Sequence, residues 1–276
     1  MAKLTLLSPA KINLFLRILG KRPDGYHELA SLFQAVDLCD TLECSLSNED
    51  HLTCSDKNLP TDSTNLIIKA AELYRRKTGL QNGLKVYLHK KIPIQGGLGG
   101  GSSNAATALW AFNALNNHIV PSRDLIKWSA EIGSDVSFFF SSGTAYCTGR
   151  GEQIQNYSPI QNKQFWIVKP PQGTSTPQVY RSLELDRLVM RDPLIALESF
   201  YTPKPHYFND LEEAAYKVMP SLKDIQLQLQ RAGFLAILSG SGSSFFCVGE
   251  GEVPYIEECE CVRVKTLNRE PSSWYA

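Results

Sequence analysis

No apolar stretch of the chain approaches the roughly 20 residues that a membrane span needs. The N-terminal Met1-Ala-Lys-Leu-Thr-Leu-Leu-Ser-Pro-Ala10 also has an apolar run too short for a secretory signal. Neither sign of charge is in excess. Lys plus Arg and Asp plus Glu both number 28 in 276 residues, so no overall field favours nucleic acid or an anionic membrane as partner. Paired cysteines are missing too. The seven cysteines (39, 44, 54, 147, 247, 259 and 261) are odd in number and form neither a Cys-x-x-Cys pair nor a cluster with histidine. That pattern argues for buried free thiols rather than disulfides or a metal site. Internal repeats and low-complexity tracts are absent. The remainder is an ordinary globular composition, 43% hydrophobic and 20% charged, long enough to divide into two domains. The expectation is a protein of a reducing cytoplasm, for which an extended polyanion is not an expected partner. Lack of an Arg- and Ser-rich leader fits a bacterial protein or a mature plastid form working in the stroma.

Apolar alternation predicts strands over 3–7, 11–19, 29–38, 41–46 and 84–90. Helical spacing predicts helices from Asn65 to Gly79, from Ser102 to about Asn116, and from Pro121 to Ile132. An apolar run, 136–140, and a short strand, 144–148, follow. The polar, aperiodic segment 156–164 marks a boundary between domains 1–158 and 159–276. The second unit reads as a strand (165–169), helices near 177–185, 192–200, 210–218 and 222–232, and strands 235–238, 244–248 and 262–266. The fold class is α+β.

Between the strand ending near Lys90 and the second helix lies Gly96-Gly-Leu-Gly-Gly-Gly-Ser-Ser103, with five glycines in its first six positions. Glycine lets several backbone N–H groups converge on one anion, and the first turn of a helix adds unpaired donors and a positive dipole end. A flexible linker is the plain alternative, but linkers do not launch helices so cleanly. The loop is not a P-loop, because no lysine follows Gly101. It is not a dinucleotide fingerprint either, since no βαβ unit surrounds it. Phosphate binding by the backbone of Gly96, Gly97, Leu98, Gly99, Gly100, Gly101, Ser102 and Ser103 is the expectation, and Ser102 or Ser103 is a candidate ligand for Mg²⁺ shared with the phosphates. The stretch Gly101-Ser-Ser-Asn-Ala105 also looks like a hydrolase nucleophile elbow on Ser103. The only later histidines, His118 and His206, do not sit where such an enzyme needs its base.

Four further segments carry chemistry. Lys11 and Asn13 sit two apart in an apolar strand and so share one face. A solvated strand face is the plain alternative, but beside the glycine loop the lysine reads as a cation aimed at a reacting oxygen. Arg22-Pro-Asp-Gly-Tyr-His-Glu28 is a turn followed by an aromatic and an imidazole, which fits ordinary packing or a platform for a flat heterocycle. Asp135 in Gly133-Ser-Asp-Val-Ser-Phe-Phe-Phe140 reads as a helix cap, or as a carboxylate that deprotonates a substrate hydroxyl near Lys11. Leu238-Ser-Gly-Ser-Gly-Ser-Ser-Phe245 joins two strands by a glycine-rich turn, either a simple hairpin or a closure over phosphate.

The order of Pro9-Ala-Lys-Ile-Asn-Leu-Phe-Leu16, Arg22-Pro-Asp-Gly-Tyr-His-Glu-Leu29, Gly96 to Asn104, Gly133 to Phe139, Gly149-Arg-Gly-Glu152, Asn209-Asp-Leu-Glu212 and Leu238 to Ser243 resembles the GHMP kinase superfamily over residues 8 to about 245. Within it the likeness is to the branch that acts on a cytidine-diphosphate-linked methylerythritol. The extra glycine in Gly99-Gly-Gly-Ser-Ser-Asn104 fits that branch rather than mevalonate or homoserine kinases. The resemblance implies an N-terminal domain like ribosomal S5 domain 2, a ferredoxin-like C-terminal domain, and an active site in the cleft between them. It implies transfer of phosphate from ATP, with Mg²⁺, to the 2-hydroxyl of the methylerythritol in the non-mevalonate route to isoprenoids. On matching positions, Asp135 is the catalytic aspartate, Lys11 its partner, and Asn13 a support. Tyr26 stacks on cytosine, His27 reads its polar edge, Thr176 lies near the substrate, and Gly240 and Gly242 near its diphosphate. Asn65 and Lys91 approach adenine. The glutamate with which some members hold magnesium is not placed in this sequence, so metal ligands other than a serine are unassigned. Rival readings are a GHMP kinase for another alcohol, of homoserine or mevalonate type, and a non-catalytic nucleotide-binding module. Oligomeric state is not encoded in any of these motifs.

Overall fold

The computed structural model describes residues 2–160, 162–270 and 272–275. Two strands of unusual length organise the first half: β1 (Lys3–Lys21) and β2 (His27–Ser47), joined by a tight turn and antiparallel along their whole length. Each absorbs two of the shorter strands expected from the sequence. The expected break at residues 8–10 falls on a register shift at Pro9/Ala10, and further shifts at Asn13/Phe15 and Ile18/Gly20 bend the ribbon without ending it.

The other edge of β2 is shared. Its second half pairs with β4 (Gly83–His89), which carries the parallel edge strand β3 (His51–Cys54). Its first half pairs with β5 (Thr144–Gly149), followed by β6 (Gln153–Asn156). The short, half-polar β3 and β6 gave no readable alternation. A two-residue strand, β8 (Phe208–Asn209), runs parallel to β1 at Phe15 and Leu16 and completes seven strands. Three helices, α1 (Leu66–Thr78), α2 (Gly100–Leu115) and α3 (Ser122–Ile132), contribute Ile67, Tyr74, Leu109, Phe112 and Leu125 to a core with Leu42, Val86 and Leu88 of the sheet.

The second sheet is antiparallel, in the order β11 (Glu260–Lys265), β7 (Gln164–Lys169), β10 (Phe245–Val248), β9 (Leu235–Leu238). Helices α4 (Thr176–Arg181), α6 (Glu212–Val218) and α7 (Ser221–Arg231) place Val179, Ala215 and Leu229 on one of its faces with Val168, Leu238 and Phe245. A third core joins the two sheets: Ile12, Leu14 and Phe15 of β1 meet Phe165, Ile167, Phe246 and Val264. Alternation along β1 therefore sends Ile12 and Leu14 toward the second sheet and leaves Lys11 and Asn13 on the opposite face.

Several expected helices are shorter. The expected 192–200 is α5 (Pro193–Ser199), with Asp192 as N-cap accepting from the Leu194 amide. The helix expected from Asp210 begins at Glu212, because the Asp210 amide donates to Leu16 O and the Leu211 amide to Asn209 Oδ1. The helix expected to reach 185 stops at Arg181, and a short 3-10 turn, Leu185–Arg187, follows. The run 136–140 is likewise a 3-10 helix, Ser137–Phe140. After β11 the chain returns to the first sheet. Thr266 bridges Val36, the Leu267 amide donates to Ala35 O, and Trp274 and Tyr275 are buried in the first core. All seven cysteines are free thiols, and Cys44, Cys147 and Cys247 are buried. No helix among the described residues is long and apolar enough to cross a membrane.

Candidate active site

Helix α2 begins inside the glycine run, at Gly100 rather than at Ser102, with Gly99 as a left-handed N-cap (φ 68°). The amides of residues 100–102 therefore have no acceptor within the helix and point at the cleft, together with the positive end of a 16-residue helix dipole. Gly97, at φ 73°, is where glycine is indispensable: a β-carbon there would lie 2.0 Å from Ser239 O in the β9–β10 turn. The loop is held from both sides. The Lys11 amide donates to Leu98 O (2.9 Å), the Ser244 amide to Gly96 O (3.1 Å), and Ser239 Oγ to Gly97 O (3.0 Å).

One buried carboxylate ties the two ends of this loop together. Asp40, fully buried on β2, accepts from the Lys91 and Ile92 amides (2.7 and 2.8 Å), from Lys90 Nζ (2.9 Å) and from Asn104 Nδ2 (2.9 Å). Asn104 also donates to Ser8 Oγ, which donates in turn to Ser103 Oγ at 2.8 Å. Ser103 thus points into the protein, fully buried, with no histidine beside it, so the nucleophile-elbow geometry is not formed. Ser102 lines the cleft.

That cleft, about 550 Å³, is lined by residues 96–102, by Asn65 and Leu66 at the start of α1, and by Lys90, Pro93 and Ile94. Asn65 is the α1 N-cap, its Oδ1 accepting from the Ile67 amide at 2.9 Å. The lysine in the lining is Lys90, not Lys91, whose side chain faces solvent. Strand alternation alone does not choose between adjacent lysines at a strand's end.

A second cavity, about 230 Å³, meets the first at Gly97 and Gly99. Lys11 and Asp135 converge there, Nζ to Oδ2 3.2 Å, although 124 residues apart in sequence. Lys11 is only 3% exposed; its Nζ also donates to Asn13 Oδ1 (2.7 Å) and lies 4.5 Å from the Phe33 ring centre. Asn13 is oriented by its Nδ2 bond to Ser31 Oγ at 3.0 Å. Asp135 follows α3 and caps no helix by its side chain, so its role as a cap is absent; its ion-pair partner is Lys11.

The remaining expected residues surround this pair at different depths. Gly240, in the β9–β10 turn, is close enough that a β-carbon would stand 3.5 Å from both Lys11 Nζ and Asn13 Oδ1. Gly242 faces Thr174 and Leu238 instead, behind the cavity wall. Thr176 Oγ1 is 2.7 Å from Ser241 Oγ and lines the cavity. Tyr26 is 54% exposed at the rim, with the Arg150 guanidinium 4.9 Å from its ring centre. His27 packs on Tyr180, ring centres 5.1 Å apart. Burial, and then the charge of Lys21, lower the His27 pKa below the usual histidine value, which favours the neutral ring at neutral pH.

Sequence reasoning missed Lys90, Tyr180 and Asp40, and gave no role to Arg150 and Asn209, which it quoted only within motifs. Tyr180 had a signal, since it lies four residues after Thr176 on one face of α4. Asn209 braces the β9–β10 turn with Nδ2 bonds of 2.7 Å to Leu238 O and Gly240 O, while Asp210 receives Arg17 and Arg191.

Residues 65–143 match the model of the GHMP kinases N terminal domain family. A 4-diphosphocytidyl-2-C-methyl-D-erythritol kinase of Protochlamydia amoebophila (strain UWE25) is 49% identical, the match covering 100% of this chain and 94% of that one. The chloroplastic kinase of the same name from Arabidopsis thaliana is 44% identical, over 100% of this chain and 77% of that one. A crystal structure of 4-(cytidine 5'-diphospho)-2C-methyl-D-erythritol kinase superposes with a TM-score of 0.80 at 31% identity, covering 97% and 100% of the two chains. With two cavities meeting at a glycine loop and this degree of likeness along its whole length, the chain belongs to the 4-diphosphocytidyl-2-C-methyl-D-erythritol kinase family of GHMP kinases.

Proposed function

We propose that the protein transfers the γ-phosphate of ATP to the 2-hydroxyl of 4-diphosphocytidyl-2-C-methyl-D-erythritol, a step of non-mevalonate isoprenoid synthesis, within two domains, 1–158 and 159–276. The observation that carries the reading is the junction of the two cavities at Gly97 and Gly99, with the Lys11–Asp135 pair on the smaller side. ATP occupies the larger cleft, its phosphates along the amides of residues 96–103 and its adenine toward Asn65 and Lys90. The acceptor occupies the smaller cavity.

Phosphoryl transfer asks a protein chiefly to align donor and acceptor and to disperse charge. Asp135 accepts the hydroxyl proton; Lys11, held by Asn13, positions that carboxylate and balances charge at the reacting oxygen. Mg²⁺, when bound with ATP, screens the phosphate charge. The oxygen chemistry of the site fits it, since magnesium takes much of its coordination from nucleotide phosphates and water. Ser102 is the hydroxyl on the cleft wall to hold it, and Ser103, engaged with Ser8, is not.

Tyr26 supplies a face for the cytosine and the neutral His27, backed by Tyr180, its polar edge. Thr176 and Gly240 border the acceptor's path. Free thiols and relatives from bacteria and chloroplasts support a bacterial cytoplasm or a plastid stroma. The test is a coupled ADP-release assay with the cytidyl substrate, homoserine and mevalonate offered separately. ADP release with the first alone is expected; turnover of either of the others in its place overturns the reading.

A further inference from the structure

The motif Gly149-Arg-Gly-Glu152 forms the turn between β5 and β6. Its backbone is clamped by acids: the Arg150 amide donates to Glu152 Oε2 at 2.6 Å and the Gly149 amide to Glu28 Oε1 at 3.2 Å. The turn lies against the reacting pair, because a β-carbon at Gly151 would stand 3.5 Å from Asp135 Oδ1. The Arg150 side chain is thereby presented to the acceptor cavity, whose charged lining residues are Lys11, Arg150 and Asp135.

These charges are unequally engaged. Lys11 is spent on Asp135 and Asn13, and is 3% exposed. Among the described residues the Arg150 guanidinium makes no hydrogen bond; its Nε stands 3.8 Å from Glu152 Oε2, and its plane approaches the Tyr26 ring. A planar fork of donors resting on an aromatic ring is still able to take phosphate oxygens edge-on. The acceptor's diphosphate needs such a countercharge beside its base, and the loop amides across the junction are taken by ATP.

We infer that Arg150 is a specificity-determining residue that docks the diphosphate of the acceptor, with Tyr26 holding its guanidinium in place. This rests on the reading of the acceptor as a cytidine-diphosphate conjugate, and that reading is tested first and separately by wild-type turnover of the cytidyl substrate. The discriminating probes are then CDP and cytidine as inhibitors of the wild type, Arg150→Met and Arg150→Lys. Arg150→Met is expected to weaken CDP inhibition and raise the acceptor KM about tenfold or more. Arg150→Lys recovers part of the loss, and cytidine inhibition and the ATP KM stay within about twofold. Equal weakening of CDP and cytidine would overturn the inference, since the arginine would then act only through the Tyr26 ring. So would a fall in kcat at unchanged acceptor KM, which would assign the charge to the transferred phosphate, or wild-type behaviour of Arg150→Met.

Discussion

Asp40 and Asn104, 64 residues apart in sequence, are joined by a buried 2.9 Å hydrogen bond that ties the helical end of the glycine loop to the carboxylate already holding its strand end. Replacing Asp40 by alanine leaves Lys90 buried without its counter-ion and the Lys91 and Ile92 amides without their acceptor, while Asn104 Nδ2 keeps only Ser8 Oγ. A stability loss of about 3–5 kcal/mol is expected from a denaturant midpoint. In Asp40→Asn, which conserves shape, the ATP KM should rise more than the acceptor KM, because the loop rather than the second cavity loses its tether. Equal changes in both would show that the network only holds the fold.

Removing either member of the Lys11–Asp135 pair should spare nucleotide binding. Asp135→Asn and Lys11→Ala are each expected to lower kcat by about a hundredfold or more with ATP affinity near normal. Steady-state kinetics and nucleotide titration check this together. Full activity in both variants would remove the pair from the chemistry.

The glycines of one loop should divide by what their missing side chains would meet. Gly97→Ala sets a methyl 2.0 Å from Ser239 O at a left-handed φ, so it forces the loop off the β9–β10 turn and should reduce activity severely. Gly101→Ala meets only Leu66 Cδ1, at 3.7 Å. It should leave the unfolding free energy from denaturant titration level or raise it by about half a kcal/mol, since alanine favours a helix.

Glu212 is titratable where it matters for stability. Burial raises its pKa from 4.5 to about 7, with the Leu238 amide opposing the shift. Below 4.5 the folded and unfolded chains both carry this proton. Between 4.5 and 7 the folded chain alone keeps it, so this residue's contribution to stability falls as pH rises across that window. Midpoints measured from pH 5 to 7.5 should decline less in Glu212→Gln than in the parent; parallel profiles would mean that another group sets the slope.

The pieces of this site that depend on short spacing were legible in the sequence, and those that depend on distant partners were not. A lysine and an asparagine two apart on a strand must share a face, and a glycine run opening a helix must expose amides, so both could be read directly. Lys90 was passed over for Lys91 because the choice is made by Asp40, fifty residues earlier on another strand. Arg150 lay within a recognised motif, yet only the clamping of its turn by Glu28 and Glu152 gives its side chain a direction. The fold was readable as α+β. Its two great strands looked like four because the register shift at Pro9/Ala10, opposite Val36 and Cys39, leaves the same local signature as a strand end.

Trp274 stacks on Trp110 of α2, ring centres 5.5 Å apart, and its Nε1 donates to Leu7 O on β1. During synthesis, the helix that opens from the glycine loop therefore leaves the ribosome long before the residue that seals its underside. The N-terminal half must wait for more than a hundred later residues before its core closes, so nascent chains halted midway should be exposed to chaperones and proteases even though Lys11, the glycine loop and Asp135 have already been made.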